Sequence, residues 1–206
     1  MHVLGKIVSM AMLGCCSLSA WAADPWCSPG GASALSFEWV STDKAEPSKG
    51  NVIIKDASGK IVQVLRDVTN RHANSELLDT YRDFNNDGCP DLVVSVDMAA
   101  IGNESVEAFL YDPRTRQFAF SEALSGLGGL DLDPKNKNCV ASYWKGGAED
   151  MYYARHCWKG DKLVMQSEYN VSPRYNTEGE FQCFLHVTTT YRDGKKRTRT
   201  KCTKQF

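Results

Sequence analysis

Six cysteines constrain this chain more than any other feature. They are Cys27, Cys89, Cys139, Cys157, Cys183 and Cys202, the set that remains once residues 1–22 are removed. Those first residues read as a secretory signal peptide. His2 and Lys6 form a basic start, an apolar stretch runs from Ile7 to Cys16, and Ala20-Trp21-Ala22 offers a small-x-small cleavage site. A rival reading cuts before Cys15, within Met12-Leu13-Gly14-Cys15, and makes a lipoprotein; only then is a membrane a partner. Simple cleavage after Ala22 is preferred, because methionine is a weaker choice than leucine at that lipoprotein position. Either reading exports the chain to the periplasm. An even cysteine count in an exported chain suggests three disulfides, although six cysteines allow fifteen pairings. Local geometry favours Cys139 with Cys157, either side of a Lys145-Gly146-Gly147-Ala148 turn region, and Cys183 with Cys202, flanking Asp193-Gly194; Cys27 and Cys89 are left over. Zinc is disfavoured, since there is no Cys-x-x-Cys and no paired histidine spacing.

The rest of the pattern is strands and turns. Ser36 to Ser41 alternates, Asn51–Lys55 and Lys60–Leu65 flank Asp56-Ala57-Ser58-Gly59 as a hairpin, and Asp91 to Val96 is a β-branched run. Val106–Tyr111 and Gln117–Phe120 bracket Asp112-Pro113-Arg114-Thr115-Arg116, a turn with proline at its second position and an aspartate cap. The same Asp-Pro-basic-x-basic turn returns at Asp133–Lys137. Val140–Trp144, Met151–Trp158 and Leu163–Glu168 follow, and Phe181–Tyr191 with Arg197–Cys202 make a last hairpin. Ser75 to Asp79 forms a helical turn at most. Such spacing predicts an all-β fold, an antiparallel β-sandwich or propeller-like meander. The expected organisation is a signal peptide at 1–22, a flexible lead-in at 23–34 tied down by Cys27, and one β-rich domain at 35–206 that includes a basic C-terminal hairpin. At 206 residues and a net charge of −1, the chain fits a single domain and gives no reason to expect nucleic acid.

The sharpest local motif is Asp83-Phe84-Asn85-Asn86-Asp87-Gly88-Cys89-Pro90-Asp91. Oxygen-bearing side chains alternate, as a hard ion needing 6–8 oxygen ligands requires. Asp83, Asn85 and Asp87 would supply side-chain oxygens, Cys89 its backbone carbonyl, and Asp91 a carboxylate or a water bridge. The bidentate glutamate of an EF-hand is missing, since Val94 stands in its place, and no long helix flanks the loop. The expected cofactor is therefore calcium, held as a structural clip; a plain Asn/Asp/Gly turn without metal is the competing reading.

Lys145-Gly146-Gly147-Ala148-Glu149-Asp150 is a glycine-rich turn flanked by Tyr143, Trp144, Tyr152 and Tyr153. Aromatics beside such a turn suit a protruding recognition loop, which offers large contact area at low entropic cost. The alternative is an ordinary hairpin tip with half-buried aromatics. From Arg192 to Lys204 there are seven cations and one acid, Asp193, so the remainder is net acidic. That segment suits an anionic wall polymer, a membrane surface or an acidic partner, or else a solvated edge hairpin. His72, His156 and His186 are scattered, with no nucleophile motif, so an enzyme is not expected.

The order of these motifs resembles a known family. Lys55-Asp56-x-x-Gly59-Lys60, Tyr81-Arg82-Asp83-Phe84-Asn85-x-Asp87-Gly88-x-x-Asp91-Leu92, Leu110-Tyr111-Asp112-Pro113, Asp133-Pro134-Lys135 with Gly146-Gly147-Ala148, and Trp158-Lys159-x-x-Lys162-Leu163 run in sequence. The set is similar to the periplasmic inhibitors of invertebrate-type lysozyme, a group that includes immunity proteins against peptidoglycan-hydrolase toxins of type IV secretion systems. The resemblance covers about residues 50–168. It implies a β-rich fold, calcium in the Asp83–Asp91 loop, and an inhibitory loop entering a hydrolase's cleft. By position that loop is Lys145 to Tyr152, with Tyr143, Lys145, Gly146, Gly147, Ala148 and Tyr152 as its contacts. The family's turn carries a serine; here Gly146-Gly147-Ala148 has none. The implied partner is a peptidoglycan hydrolase or lysozyme-like protein. A calcium-stabilised cell-wall or envelope-binding module without inhibitory activity is the alternative function.

Overall fold

The computed structural model describes residues 24–28 and 34–206, so the signal-peptide and lipidation readings lie outside the described residues. Twelve strands form three antiparallel meanders. The first joins β1 (Leu35–Ser41), β2 (Lys49–Asp56) and β3 (Ile61–Thr69); the second joins β4 (Leu92–Met98), β5 (Glu104–Asp112) and β6 (Gln117–Phe120). The third runs β7 (Asp131–Leu132), β8 (Cys139–Gly147), β9 (Asp150–Lys159), β10 (Lys162–Tyr175), β11 (Phe181–Arg192) and β12 (Lys195–Thr203). Among the described residues each strand's ladder partners are its neighbours in sequence, β4 adding an isolated bridge to Asp79, and no sheet closes into a barrel.

Turn chemistry builds these hairpins one at a time. Asp112 Oδ1 accepts the Arg114 N–H at 2.9 Å, and Asp133 Oδ1 accepts the Lys135 N–H at 2.7 Å, so both Asp-Pro turns carry the same aspartate cap. Asp193 and Gly194 both have positive φ, 50° and 72°, as a two-residue turn matching strand twist requires.

The middle sheet explains the order of layers. Leu92 and Val94 of β4, with Phe109 and Tyr111 of β5, face one core, where Trp26, Trp39, Val52, Ile54 and Phe118 also lie. Val93 of β4, with Val106 and Ala108 of β5, faces a second core containing Phe84, Leu124, Leu130 and Val140. A strand that serves two cores must be apolar on both sides, hence the unbroken run Leu92-Val93-Val94.

One local expectation changes. Of the segment read as a flexible lead-in, Asp24–Ser28 is built in: Pro25–Cys27 forms a 3-10 turn, and Trp26 is only 1% exposed among core aromatics. A large apolar side chain beside a cysteine outweighed the Pro/Gly composition. Ser75–Leu78 makes the single turn expected, the Leu78 N–H donating to the Ser75 carbonyl at 3.3 Å, and among the described residues the α-helix is α1 (Glu122–Ser125), whose cap is Ser121, accepting the Leu124 N–H.

The three bridges are Cys27–Cys89, Cys139–Cys157 and Cys183–Cys202, with sequence separations of 62, 18 and 19. The short-range pair each tie neighbouring strands of the third sheet. Cys27–Cys89 spans the longest loop and ties Trp26 to the Asp83–Asp91 segment. Loop-closure entropy makes it the most stabilising, at about 4 kcal/mol against about 3 for each of the others. Double Cys→Ala replacement of each pair, followed by urea unfolding, should rank them in that order.

Candidate functional site

The Asp83–Asp91 loop sits where the two cores meet. Phe84 fills one and Cys89 the other, each about 1% exposed or less. Two tryptophans pin the loop. Trp26 Nε1 donates to the Pro90 carbonyl and Trp158 Nε1 to the Phe84 carbonyl, both at 2.7 Å. The Asp91 N–H closes the ring on the Arg82 carbonyl at 2.7 Å. Around the rim, Asp83 accepts the N–H groups of Asp87 and Gly88, Asn85 accepts that of Asp87, and Asp87 accepts that of Cys89. Gly88, at φ 89°, takes a left-handed turn an L side chain resists.

Asp91 behaves differently from its neighbours in the motif. It is 1% exposed, and its carboxylate accepts the Phe84 N–H at 2.7 Å and the Tyr111 N–H at 2.9 Å. Burial pushes this carboxyl up to about 7; Asp83 and Asp87 add to the rise, and the two N–H groups oppose it. Asp91 is thus a strut from the loop to β5. Among the described residues no three His, Cys, Asp or Glu side chains gather as a metal group. Asp83, Asn85 and Asp87 carry the hard oxygen donors that calcium takes, and here those side chains bond to the loop's own N–H groups and to one another, while Asp91 has only its remaining lone pairs to offer.

The glycine-rich turn is the tip of the β8–β9 hairpin. Ala148 and Glu149 make the turn between Gly147 and Asp150, and the register slips between Lys145 and Gly147. Neither Gly146 nor Gly147 has positive φ, and nothing lies within 4 Å of where a Gly147 Cβ would sit. The backbone at Gly147 therefore does not demand glycine, whereas a Cβ at Gly146 would meet the Asp150 carboxylate at 2.8 Å; the turn beyond them exposes Ala148 and Glu149. Its base is clamped by Asn103, only 5% exposed, from the β4–β5 turn. The Lys145 N–H donates to Asn103 Oδ1 and Asn103 Nδ2 donates to the Lys145 carbonyl, both at 2.7 Å. Sequence reading missed Asn103, because the contact spans 42 residues and no local pattern marks it.

The flanking aromatics divide between the two faces of the sheet. Tyr143, Tyr153 and Tyr169 are direct cross-strand partners on one face, where Lys145 Nζ lies 5.7 Å from the Tyr143 ring centre. On the other face Trp144 packs against Gly128, so closely that a Cβ there would meet the indole at 2.5 Å. Tyr152 is on this second face, and its hydroxyl donates to Glu168 at 3.2 Å, while Tyr191 donates to the same carboxylate at 2.6 Å. The Tyr191 hydrogen bond, against burial, holds Glu168 below the usual carboxylate range, with Tyr152 helping. A depressed acid stabilises the fold above its unfolded pKa and loses that contribution as pH falls through its folded pKa. Glu168→Gln should therefore flatten the loss of stability as pH falls below the ordinary glutamate range in acid-unfolding curves.

Beside Trp144 lies a cavity of about 400 Å³ lined by Leu127, Ser142, Trp144, Tyr152, His156 and Met165. His156 is buried there with no hydrogen-bond partner for Nδ1, and burial lowers its pKa.

Comparison with known proteins adds the fold. No family model matches the sequence, and no curated protein matches it. A solved structure described as "Structure of a Xanthomonas Type IV Secretion System related protein" is similar, with a TM-score of 0.56 at 14% identity, over 82% of this chain and 90% of that one. The three disulfides fit an exported chain, and no helix among the described residues is long and apolar enough to cross a membrane.

Proposed function

We propose that this protein is a periplasmic inhibitor, an immunity protein, of a peptidoglycan-cleaving glycosidase or lysozyme-like toxin. The β8–β9 tip carries this reading: a two-residue turn after Gly146 and Gly147, held from below by Asn103 and braced behind by the Tyr152–Glu168–Tyr191 bonds. The neighbour's description as a type IV secretion system related protein supports a secretion-associated role. Glycosidases act through two carboxylates in a cleft. A tip with Lys145 as its cation and no side chain at Gly146 or Gly147 can enter such a cleft and exclude sugar, with Lys145, and not the exposed Glu149, meeting the acids. Rigidity matters because loop ordering on binding costs free energy, and this tip is ordered beforehand. Lys145 and the Gly146–Ala148 backbone make the contact in this reading; Tyr152 and Tyr143 hold its flanks. Calcium held by Asp83, Asn85, Asp87 and the Cys89 carbonyl stiffens the layer boundary and takes no part in blocking. The protein is not an enzyme in this reading. The test is titration of the purified protein into lysozyme-like hydrolases and secreted wall-hydrolase toxins, with peptidoglycan turbidity as the readout. Sub-micromolar inhibition of one of them is expected; none across the panel ends the proposal.

A further inference from the structure

We infer that the free edge of β12 is a docking edge for an acidic polypeptide segment, which adds to the third sheet as a seventh strand. β12 is the terminal strand of that sheet, and all nine of its residues but Thr203 are exposed. An edge strand leaves alternate backbone N–H and C=O groups unpaired, a ready template for another chain.

The side chains specify what that chain carries. Lys195, Arg197, Arg199 and Lys201 alternate along the strand, opposite Arg192, Thr190, Thr188 and His186 of β11, and so share one face. Among the described residues none of the four pairs with an acid, whereas Lys196 sits over the Tyr191 ring and Lys204 donates to the Gln182 carbonyl. Beside the row lies a groove of about 690 Å³ lined by Tyr169, His186, Thr188, Arg199, Lys201 and Phe206. Tyr169 meets His186 Nδ1 and Thr203 meets its Nε2, each at 2.6 Å, and Thr203 in turn donates to the Gln205 carbonyl at 2.6 Å. That last bond makes Thr203 the acceptor from His186 Nε2–H, and Arg199 and Lys201 are the cations that line the groove.

Cations two residues apart on a strand repeat every ~6.6 Å, which is also the repeat of alternate side chains on an added strand. A segment with Glu or Asp at every second position meets the row in register while its backbone completes the ladder. A second copy of β12 cannot do this, since it brings a like-charged row alongside. A glycan or lipid anion would use the charges and ignore the edge. The inference does not rest on the inhibitory reading, because β12 lies three strands, about 14 Å, from β9.

The experiment uses the intact protein and three synthetic peptides: alternating Thr-Glu repeats, a block peptide of identical composition, and the alternating peptide N-methylated at every other residue. The alternating peptide should bind at least tenfold more tightly than the other two, weaken with salt, and slow amide exchange in β12. Arg197→Glu with Arg199→Glu should abolish binding; if that variant misfolds, Arg197→Gln with Arg199→Gln should still weaken it at least tenfold. Equal binding of all three peptides, or exchange protection elsewhere, overturns the inference. So does charge-dependent sedimentation with purified peptidoglycan by a protein that binds no peptide.

Discussion

Gly147→Trp should abolish inhibition of the target hydrolase without unfolding the inhibitor. The backbone at Gly147 has no positive φ, and a Cβ there meets nothing within 4 Å, so the free protein accommodates the indole in solvent. Thermal melting should stay within a few degrees of wild type. In the complex the indole occupies the space the tip uses to enter the cleft. Central contacts of this kind are each worth about 2–4 kcal/mol, and tenfold in affinity corresponds to about 1.4 kcal/mol, so the loss should reach roughly 30- to 1000-fold. Lys145→Glu should lose a comparable factor by facing the catalytic acids with like charge. Asn103→Ala separates shape from rigidity: the tip keeps its residues but loses both hydrogen bonds to the Lys145 main chain. Its inhibition should weaken about tenfold, with a loss of stability as well. If Gly147→Trp inhibits as well as wild type, the tip does not enter the cleft.

The second large effect separates two roles within one loop. Asp91→Ala should cost about 2–6 kcal/mol with or without calcium, because it leaves the buried N–H groups of Phe84 and Tyr111 without an acceptor. For a domain stable by 5–15 kcal/mol that approaches unfolding. Asp87→Ala, on the exposed rim, should cost far less in the absence of metal. What it should remove is the response to calcium, which in the wild type reaches about 2.7 kcal/mol at a free concentration 100 times Kd. Melting curves of wild type and both variants, each with chelator and with millimolar calcium, decide it. If chelation does not move the wild-type curve, the loop is a hydrogen-bonded clasp and the calcium proposal fails.

Much of this molecule was legible in the chain because its topology is local. Each strand pairs with its neighbour in sequence, so alternation and turn residues specify a meander one hairpin at a time. The Asp193-Gly194 turn set the last hairpin, and Cys139 with Cys157 follows from direct pairing in the β8–β9 hairpin. The tip of that hairpin was legible for the same reason. The role of Asp91 was not, since an aspartate that ligates an ion and one that receives two buried N–H groups look identical in sequence.

By itself, then, the sequence marked most of the strands and their turns and favoured the two short-range bridges, all of which depend on residues within a hairpin's reach. Tertiary structure alone decided that Trp26 belongs to the core, that Trp158 and Trp26 clasp the Asp83–Asp91 loop across 74 and 64 residues, and that Asn103 buttresses Lys145 across 42. Those contacts arise only when three finished sheets stack and bury polar groups that must find partners. No period of two along a strand carries information about which distant group that partner will be.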